Sequence, residues 1–392
     1  MKKTSITPKM ICPGCEGRKF SGRYHVTGQP VILNYRFQDA RAASRVPRRD
    51  LMLVQCRNCG LVFNAVFDPS VVPYDENYDN RQNYSTAYQM HLHKLARKLA
   101  ASCRRPGGGR ILEVGCGKGD FLRLVRRLAK ATCVGYDTTY EPGPAPEPRG
   151  LSFHRSYVTA ADITTRYDVV VCRHVVEHVP AIGAFLRELR DIAVAAGDPV
   201  VFLETPRFDW IVQQLSCWDV FYEHCNYFPE STLAHLCRLA KFEVIRQRAA
   251  FGRQYQTLEL KVAKAWRRPS APGIPKGARL ADFVRGVRRR MQRLRREIVR
   301  DCGGSNWAIW GAGAKGVALA NLLTDMPPQW VVDSNPAKQG GVLPGTKIPI
   351  VGPEDAGWIR AGLVLIVNPN YEGEIRTVLR QRAYGGRIRA LK

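Results

Sequence analysis

Residues 111–122, ILEVGCGKGDFL, constrain this chain more than any other stretch. Ile111, Leu112, Glu113 and Val114 read as a short strand, and Phe121 onward has the spacing of an amphipathic helix. Between them stand Gly115, Gly117 and Gly119. Glycine accepts positive φ and lets the backbone approach a ligand, so a strand–turn–helix of this kind marks a ligand-binding corner of a parallel α/β sheet. The following strand, TCVGYD, ends in Asp137, 18 residues after Gly119. An acid there is placed to accept ribose hydroxyls. A dinucleotide fingerprint needs its third glycine three positions after the second, and the GxGxG here argues against a nicotinamide cofactor.

The texture of the chain divides it into parts. Residues 1–70 carry paired cysteines and short β-rich runs, and read as a small separate unit. Residues 71–264 alternate apolar strands with amphipathic helices, the pattern of a doubly wound α/β domain, after a tyrosine-rich, then helical lead-in over 71–100. Residues 265–300 read as a Pro- and Gly-rich linker followed by a basic helix. In that helix Leu280, Val284, Val287, Met291, Leu294 and Ile298 form an apolar seam, and the other face is covered with arginine. Residues 301–392 form a second Rossmann-like α/β unit, with a glycine-rich turn at Gly311, Gly313 and Lys315 and Asp333 closing the next strand.

Cys12-Pro-Gly-Cys15 and Cys56-Arg-Asn-Cys59 are two CxxC knuckles, enough for a four-thiolate structural Zn²⁺ site. The gap between them is long, so residues 16–55 must form an insertion or a hairpin. The start of the chain has lysines but no apolar core behind them, which predicts a cytoplasmic protein with reduced thiols. No apolar run approaches the ~20 residues that a membrane-spanning helix needs.

Lys plus Arg exceed Asp plus Glu, 60 against 34, for a formal charge of +26. Such a field suits nucleic acid, an anionic membrane or a phosphorylated small molecule. The bias is toward arginine, 44 against 16 lysines, a pattern that base composition alone can produce. The stretch after the fourth strand reads CRHVVEHVP, without the NPPY- or DPPY-type motif of base-modifying enzymes, which argues against a nucleic-acid substrate.

With Glu113 closing its strand, ILEVGCGKGDFL is similar to the first motif of class I S-adenosylmethionine-dependent methyltransferases. The order of zinc knuckles, YDENY, EVGCGKGDFL, YEHCNYF and GAGAKGVALANLL resembles the zinc-containing sugar C-methyltransferases, and the resemblance covers nearly the whole chain. It implies a small N-terminal zinc domain, a class I methyltransferase core and a C-terminal Rossmann-like domain. The implied reaction is C-methylation of a nucleotide-linked keto-deoxysugar, with S-adenosylmethionine as donor and structural zinc.

Donor binding is then expected at Glu113, Gly115, Gly117, Gly119, Asp137 and Arg173. His224, in Tyr222-Glu223-His224, is expected to be the base that removes a proton α to a ketone. Tyr222 is expected to orient the sugar or hold the enolate oxygen. His174 and Glu177 are second candidates, Tyr78 and Tyr84 are expected to close over donor or substrate, and Gly311, Gly313 and Lys315 to bind the nucleotide-sugar. Two alternatives stay open: O- or N-methylation of another small metabolite, and an RNA-binding methyltransferase or nucleic-acid adaptor.

Overall fold

The computed structural model describes residues 10–73, 78, 81, 84–103 and 109–392. Of YDENY it therefore describes Tyr78 alone, and Asp79, Asn80, Gln82 and Asn83 also lie outside the described residues. Among the described residues the strands form three sheets.

The first sheet starts with β1 (Phe20–Pro30) and β2 (Arg48–Cys56), an antiparallel hairpin that places Phe20 opposite Cys56. This hairpin is the insertion between the two CxxC knuckles. It returns the second knuckle to the first, and β3 (Val62–Asn64) adds antiparallel to β2.

The second sheet holds β4 (Arg110–Val114), β5 (Thr132–Tyr136), β6 (Leu151–His154), β7 (Val169–Arg173) and β8 (Val200–Pro206), all parallel. Cover on both faces explains why β7 is apolar at nearly every position and wholly buried. The chain then leaves this sheet. The two-residue β9 (Asn226–Tyr227) pairs with β3 instead, Val62 opposite Tyr227 and Phe63 opposite Asn226. The hairpin of β10 (Phe242–Ala250) and β11 (Tyr255–Val262) rejoins it, β11 antiparallel to β8. The resulting order is β10-β11-β8-β7-β4-β5-β6. Its switch point lies between β4 and β7, where open α/β sheets bind ligands beyond their strand ends.

The third sheet is parallel throughout: β12 (Trp307–Trp310), β13 (Trp330–Val332), β14 (Ile350–Val351), β15 (Leu363–Ile366) and β16 (Arg387–Ala390), ordered β14-β13-β12-β15-β16. The basic helix, Leu280–Cys302, buries Leu280, Phe283, Val287, Leu294 and Ile298. Val284 and Met291 from the expected seam are half-buried, and Phe283 takes a full place in it.

Two readings of the chain's organisation need correcting. The stretch after β11 is not a free linker: Gly273 N–H donates to the Asn58 carbonyl at 2.8 Å, and the Gln55 side chain bridges Ala278 and Leu280. It is a strap across the cysteine knuckle. Nor do the cores respect the sequence boundaries. One apolar cluster joins Leu51 and Leu53 of the first sheet to Trp218 and Tyr222 of the middle unit and to Ile309 and Leu319 of the last. Side chains from three stretches of sequence exclude water together, so the hydrophobic contribution belongs to the assembly and not to any one unit. No helix among the described residues is long and apolar enough to cross a membrane.

Candidate active site

The glycine turn after β4 has positive φ at Gly115, Gly117 and Gly119, 76°, 54° and 81°. A Cβ on Gly115 would come within 2.2 Å of Val175 Cγ2, and one on Gly119 within 2.5 Å of Phe153. Gly117 faces open space, with nothing within 4 Å of its Cβ direction. The turn is thus clamped at both ends and open in the middle, before the helix Asp120–Leu128. Asp137 accepts from Gly117 N–H at 2.7 Å with one oxygen and from Thr139 with the other. Its carboxylate therefore stands beside the glycine turn. Glu113 is fully buried behind the turn, and burial pushes its carboxyl up to about 8. Its Oε2 has no hydrogen-bond partner among the described residues. Arg173 Nη2 lies 3.0 Å from Glu204 Oε1, Nη1 lies 3.9 Å from Glu113, and the guanidinium stacks over Phe121. An open cradle, an acid with one free oxygen and a tethered acid fit a charged nucleoside donor.

Across the switch point a cavity of about 340 Å³ lies between the middle and C-terminal units. Its lining brings together His174, Glu177, Glu223 and His224 from one side with Gly311, Gly313 and Lys315 from the other. Tyr84 also lines it, at 48% exposure, which places it at the rim. Residues separated widely in sequence thus line one space.

Each histidine here has a different electrostatic setting. His174, left-handed at φ 54°, sits with Nδ1 3.4 Å from Glu177 and Nε2 3.3 Å from Glu204. Burial alone would discharge it, but the two carboxylates hold the imidazole up at about 9. Glu177 stays an anion despite burial, pulled down to about 2 chiefly by His174, and also accepts from Thr205 Oγ1 at 2.9 Å. His178 Nδ1 lies 3.2 Å from the Glu223 carbonyl, which fixes its proton there. His224 packs edge-on against His178 and Phe221, with centroids 4.7 and 4.9 Å apart. Burial, with His178 beside it, pushes His224 down to about 3, so it is neutral. Glu223 is 2% exposed, and burial raises its carboxyl to about 7. Tyr78 Oη donates to its Oε2 at 3.3 Å and Leu33 N–H to its Oε1 at 2.5 Å.

Tyr222 does not stand where the motif reading puts it. It is fully buried, its hydroxyl accepts from Asp68 N–H at 3.0 Å, and its ring packs on Phe67. The neighbouring Phe221 lines the cavity in its place. Tyr222 instead belongs to the shared apolar core. Tyr78 likewise reaches Glu223 rather than the lining itself.

Sequence reasoning also passed over Asp219, Trp210, Gln254 and Asn335, which all line the cavity. Asn335 carried a signal. It follows Asp333 in VVDSN, and Asp333 accepts from Ala312 N–H at 2.6 Å, repeating in the C-terminal unit the acid-to-glycine-turn bond of Asp137. Asn335 is 3% exposed, its Oδ1 accepts from Ala337 N–H, and its Nδ2 has no partner among the described residues.

At the other end of the middle unit the four cysteines converge. Cys12 Sγ lies 3.6 Å from Cys59 Sγ, Cys15 Sγ 3.6 Å from Cys56 Sγ, and all four sulfurs lie within 4.8 Å of one another. A tetrahedron with ~2.3 Å zinc–sulfur bonds has edges of ~3.8 Å. The donor set and its spacing fit Zn²⁺.

Two family models match the chain. Residues 84–247 match the family model "Methyltransferase domain", and residues 243–389 match "C-methyltransferase C-terminal domain". The chain is 27% identical over 349 residues to the C-methyltransferase NovU of Streptomyces niveus, covering 83% of this chain and 81% of that one. It is 31% identical over 110 residues to a ubiquinone biosynthesis O-methyltransferase of Haemophilus ducreyi, covering 25% of this chain and 45% of that one. Among solved structures, the 1,6-didemethyltoxoflavin-N1-methyltransferase of Burkholderia thailandensis aligns with a TM-score of 0.35 at 15% identity, over 46% of this chain and 82% of that one.

Proposed function

We propose that this chain, an S-adenosylmethionine-dependent methyltransferase with a C-methyltransferase C-terminal domain, methylates carbon in a nucleotide-linked keto-deoxysugar. The observation that carries the reading is the shared cavity: a neutral buried histidine at one end and a Rossmann-type glycine turn at the other. A sugar and a nucleotide joined by a diphosphate span such a space. At the nucleotide end, the N–H groups that open the helix Ala314–Leu322 and the unpaired Asn335 Nδ2 suit an anion. At the sugar end, Trp210, Ile211 and Phe221 supply apolar walls for a deoxygenated ring.

When bound, S-adenosylmethionine supplies an electrophilic methyl group; Gly115, Gly117, Gly119 and Asp137 would hold it, with Glu113 and Arg173 behind them. The chain's own task is to make carbon nucleophilic. His174 is held charged between two carboxylates, so it has no lone pair to accept a proton. His224 has one. It takes the α-proton of the ketone, and the imidazolium formed is stabilised by the carboxylate of Glu177, which lies within 4.8 Å of both His178 and His224. Glu223, next in the chain, is the second nearby acid. Aligning the enolate with the methyl group contributes the rest, a gain of ~7–11 kcal/mol for well-placed reactants. In the N-terminal unit, Cys12, Cys15, Cys56 and Cys59 would hold a structural zinc.

Two tests follow directly. Replacing Asp137 by Ala should weaken S-adenosylmethionine binding in calorimetry by the ~1.5–3 kcal/mol of hydrogen bonds to a charged group; undiminished affinity would contradict the donor site. Glu223 gives a pH signature. Leu33 N–H, Asn34 N–H and Tyr78 Oη all donate to it, the pattern of an anion, and its carboxyl ionises near 7. The rate should therefore climb as pH rises through about 7, and Glu223→Gln should be slower and flat across that range. A limb that persists in Glu223→Gln belongs to another group.

A further inference from the structure

The two ends of the cavity are joined by a contact that neither the donor site nor the base requires. Asp219 ends the short turn Cys217–Asp219, on the same stretch of chain as His224. Lys315 stands in the first turn of the C-terminal unit's helix Ala314–Leu322. Both line the cavity, and Lys315 Nζ lies 2.5 Å from Asp219 Oδ1. Gln254 Oε1 at 3.3 Å and the face of Trp210 at 4.7 Å hold the ammonium in place. The expectation that Lys315 reaches for a diphosphate therefore changes: its charge is already spent on a carboxylate of the neighbouring unit.

The other carboxylate oxygen is not satisfied. Asp219 is 9% exposed, and its Oδ2 has no hydrogen-bond partner among the described residues. Desolvating a carboxylate oxygen without a donor is costly, and native structures leave such atoms where something else completes them. The chemistry of the missing donor can be narrowed. Lys315 already neutralises the pair, so a cationic group would leave a net charge in the cavity. A neutral O–H donor leaves none. Trp210, Ile211 and Phe221 supply apolar surface to the same cavity.

We infer that Asp219, fixed by Lys315 across the boundary between units, is a specificity residue that accepts a hydrogen bond from a ring hydroxyl of the sugar. The inference rests on the nucleotide-sugar reading and deepens it: the ring is deoxygenated where it meets the apolar walls and keeps a hydroxyl at the junction with the nucleotide end. A site built to pair a hydroxyl discriminates strongly against analogues lacking it, because its own polar atom is left unpaired.

The test is calorimetric, on the full chain loaded with S-adenosylhomocysteine, whose binding also reports that each variant is folded. Two probes are titrated, a nucleoside diphosphate alone and its 4-keto-6-deoxyhexose ester, in thymidine and uridine forms. Asp219→Ala should weaken the ester by roughly 10- to 100-fold, the range for a hydrogen bond to a charged group, and leave the nucleoside diphosphate unchanged. Asp219→Asn, which keeps the shape and an acceptor, should lose less. Among ring-deoxygenated esters, one should bind wild type poorly, and Asp219→Ala should not discriminate against it. Equal weakening of both probes, or of neither, while wild type binds both, would overturn the inference and leave the nucleotide-sugar reading standing. Wild-type protein that binds neither probe would overturn that reading, and the inference with it.

Discussion

His224→Ala should abolish methyl transfer while leaving S-adenosylmethionine binding intact. Loss of a general base costs ~10²–10⁴-fold in rate. Among the cavity's groups, His174 is held charged by Glu177 and Glu204. His224 alone of the two lining histidines is neutral. Because enolate formation precedes transfer, it can be followed by itself. A substrate with an acidic α-hydrogen should exchange it for solvent deuterium without any methyl donor, and should fail to do so in the variant. Exchange that survives in His224→Ala but vanishes in His174→Ala would move the base to His174. A His224→Ala enzyme within a few-fold of wild type would remove the base role altogether.

The second large effect is expected in the N-terminal unit. Cys56→Ser should lose the zinc, measured as metal per chain, from one to none. A structural zinc site supplies ~10–16 kcal/mol of apparent binding energy. The consequence should not stay local. β2 ends in Cys56, β3 pairs with β2, and β9 pairs with β3 directly after His224. Asn64 N–H also donates to the Cys225 carbonyl at 2.9 Å. The segment that follows His224 is thus an added strand of the N-terminal unit's sheet. Cys56→Ser should therefore become sensitive to proteolysis around residues 220–228 as well as within the first sheet. Metal analysis that finds no zinc in the wild type, or unchanged zinc in Cys56→Ser, would refute the site.

What the sequence disclosed here follows from how local each signal is. The glycine turn, the acid at Asp137 and the two CxxC knuckles are each written within a few residues, because backbone approach and thiolate coordination demand particular residues at fixed spacing. Their placement in the fold follows from the strand–helix alternation. Side-chain direction is another matter. Tyr222 lies beside Glu223 and His224 in the chain, yet its hydroxyl meets Asp68 in the core, and nothing in the motif distinguishes a residue facing the cavity from one facing away. Partnerships between units were equally hidden. The ion pair of Asp219 with Lys315 joins two stretches whose sequences read as separate domains. The strap at Gly273 shows the same limit from the other side: prolines and glycines signal a turn-rich path, and the hydrogen bond to Asn58 that docks it depends on tertiary packing.

The central claim is that the methyl group goes to carbon. It is tested most directly by supplying S-adenosylmethionine labelled with ¹³C in its methyl group together with a nucleotide-linked 4-keto-deoxysugar, and by reading the product by NMR. A methyl carbon coupled directly to a ring carbon, on the position that exchanged its proton with solvent, is the predicted result. A methyl group on oxygen or nitrogen, with no ring position ever exchanging, would contradict the account.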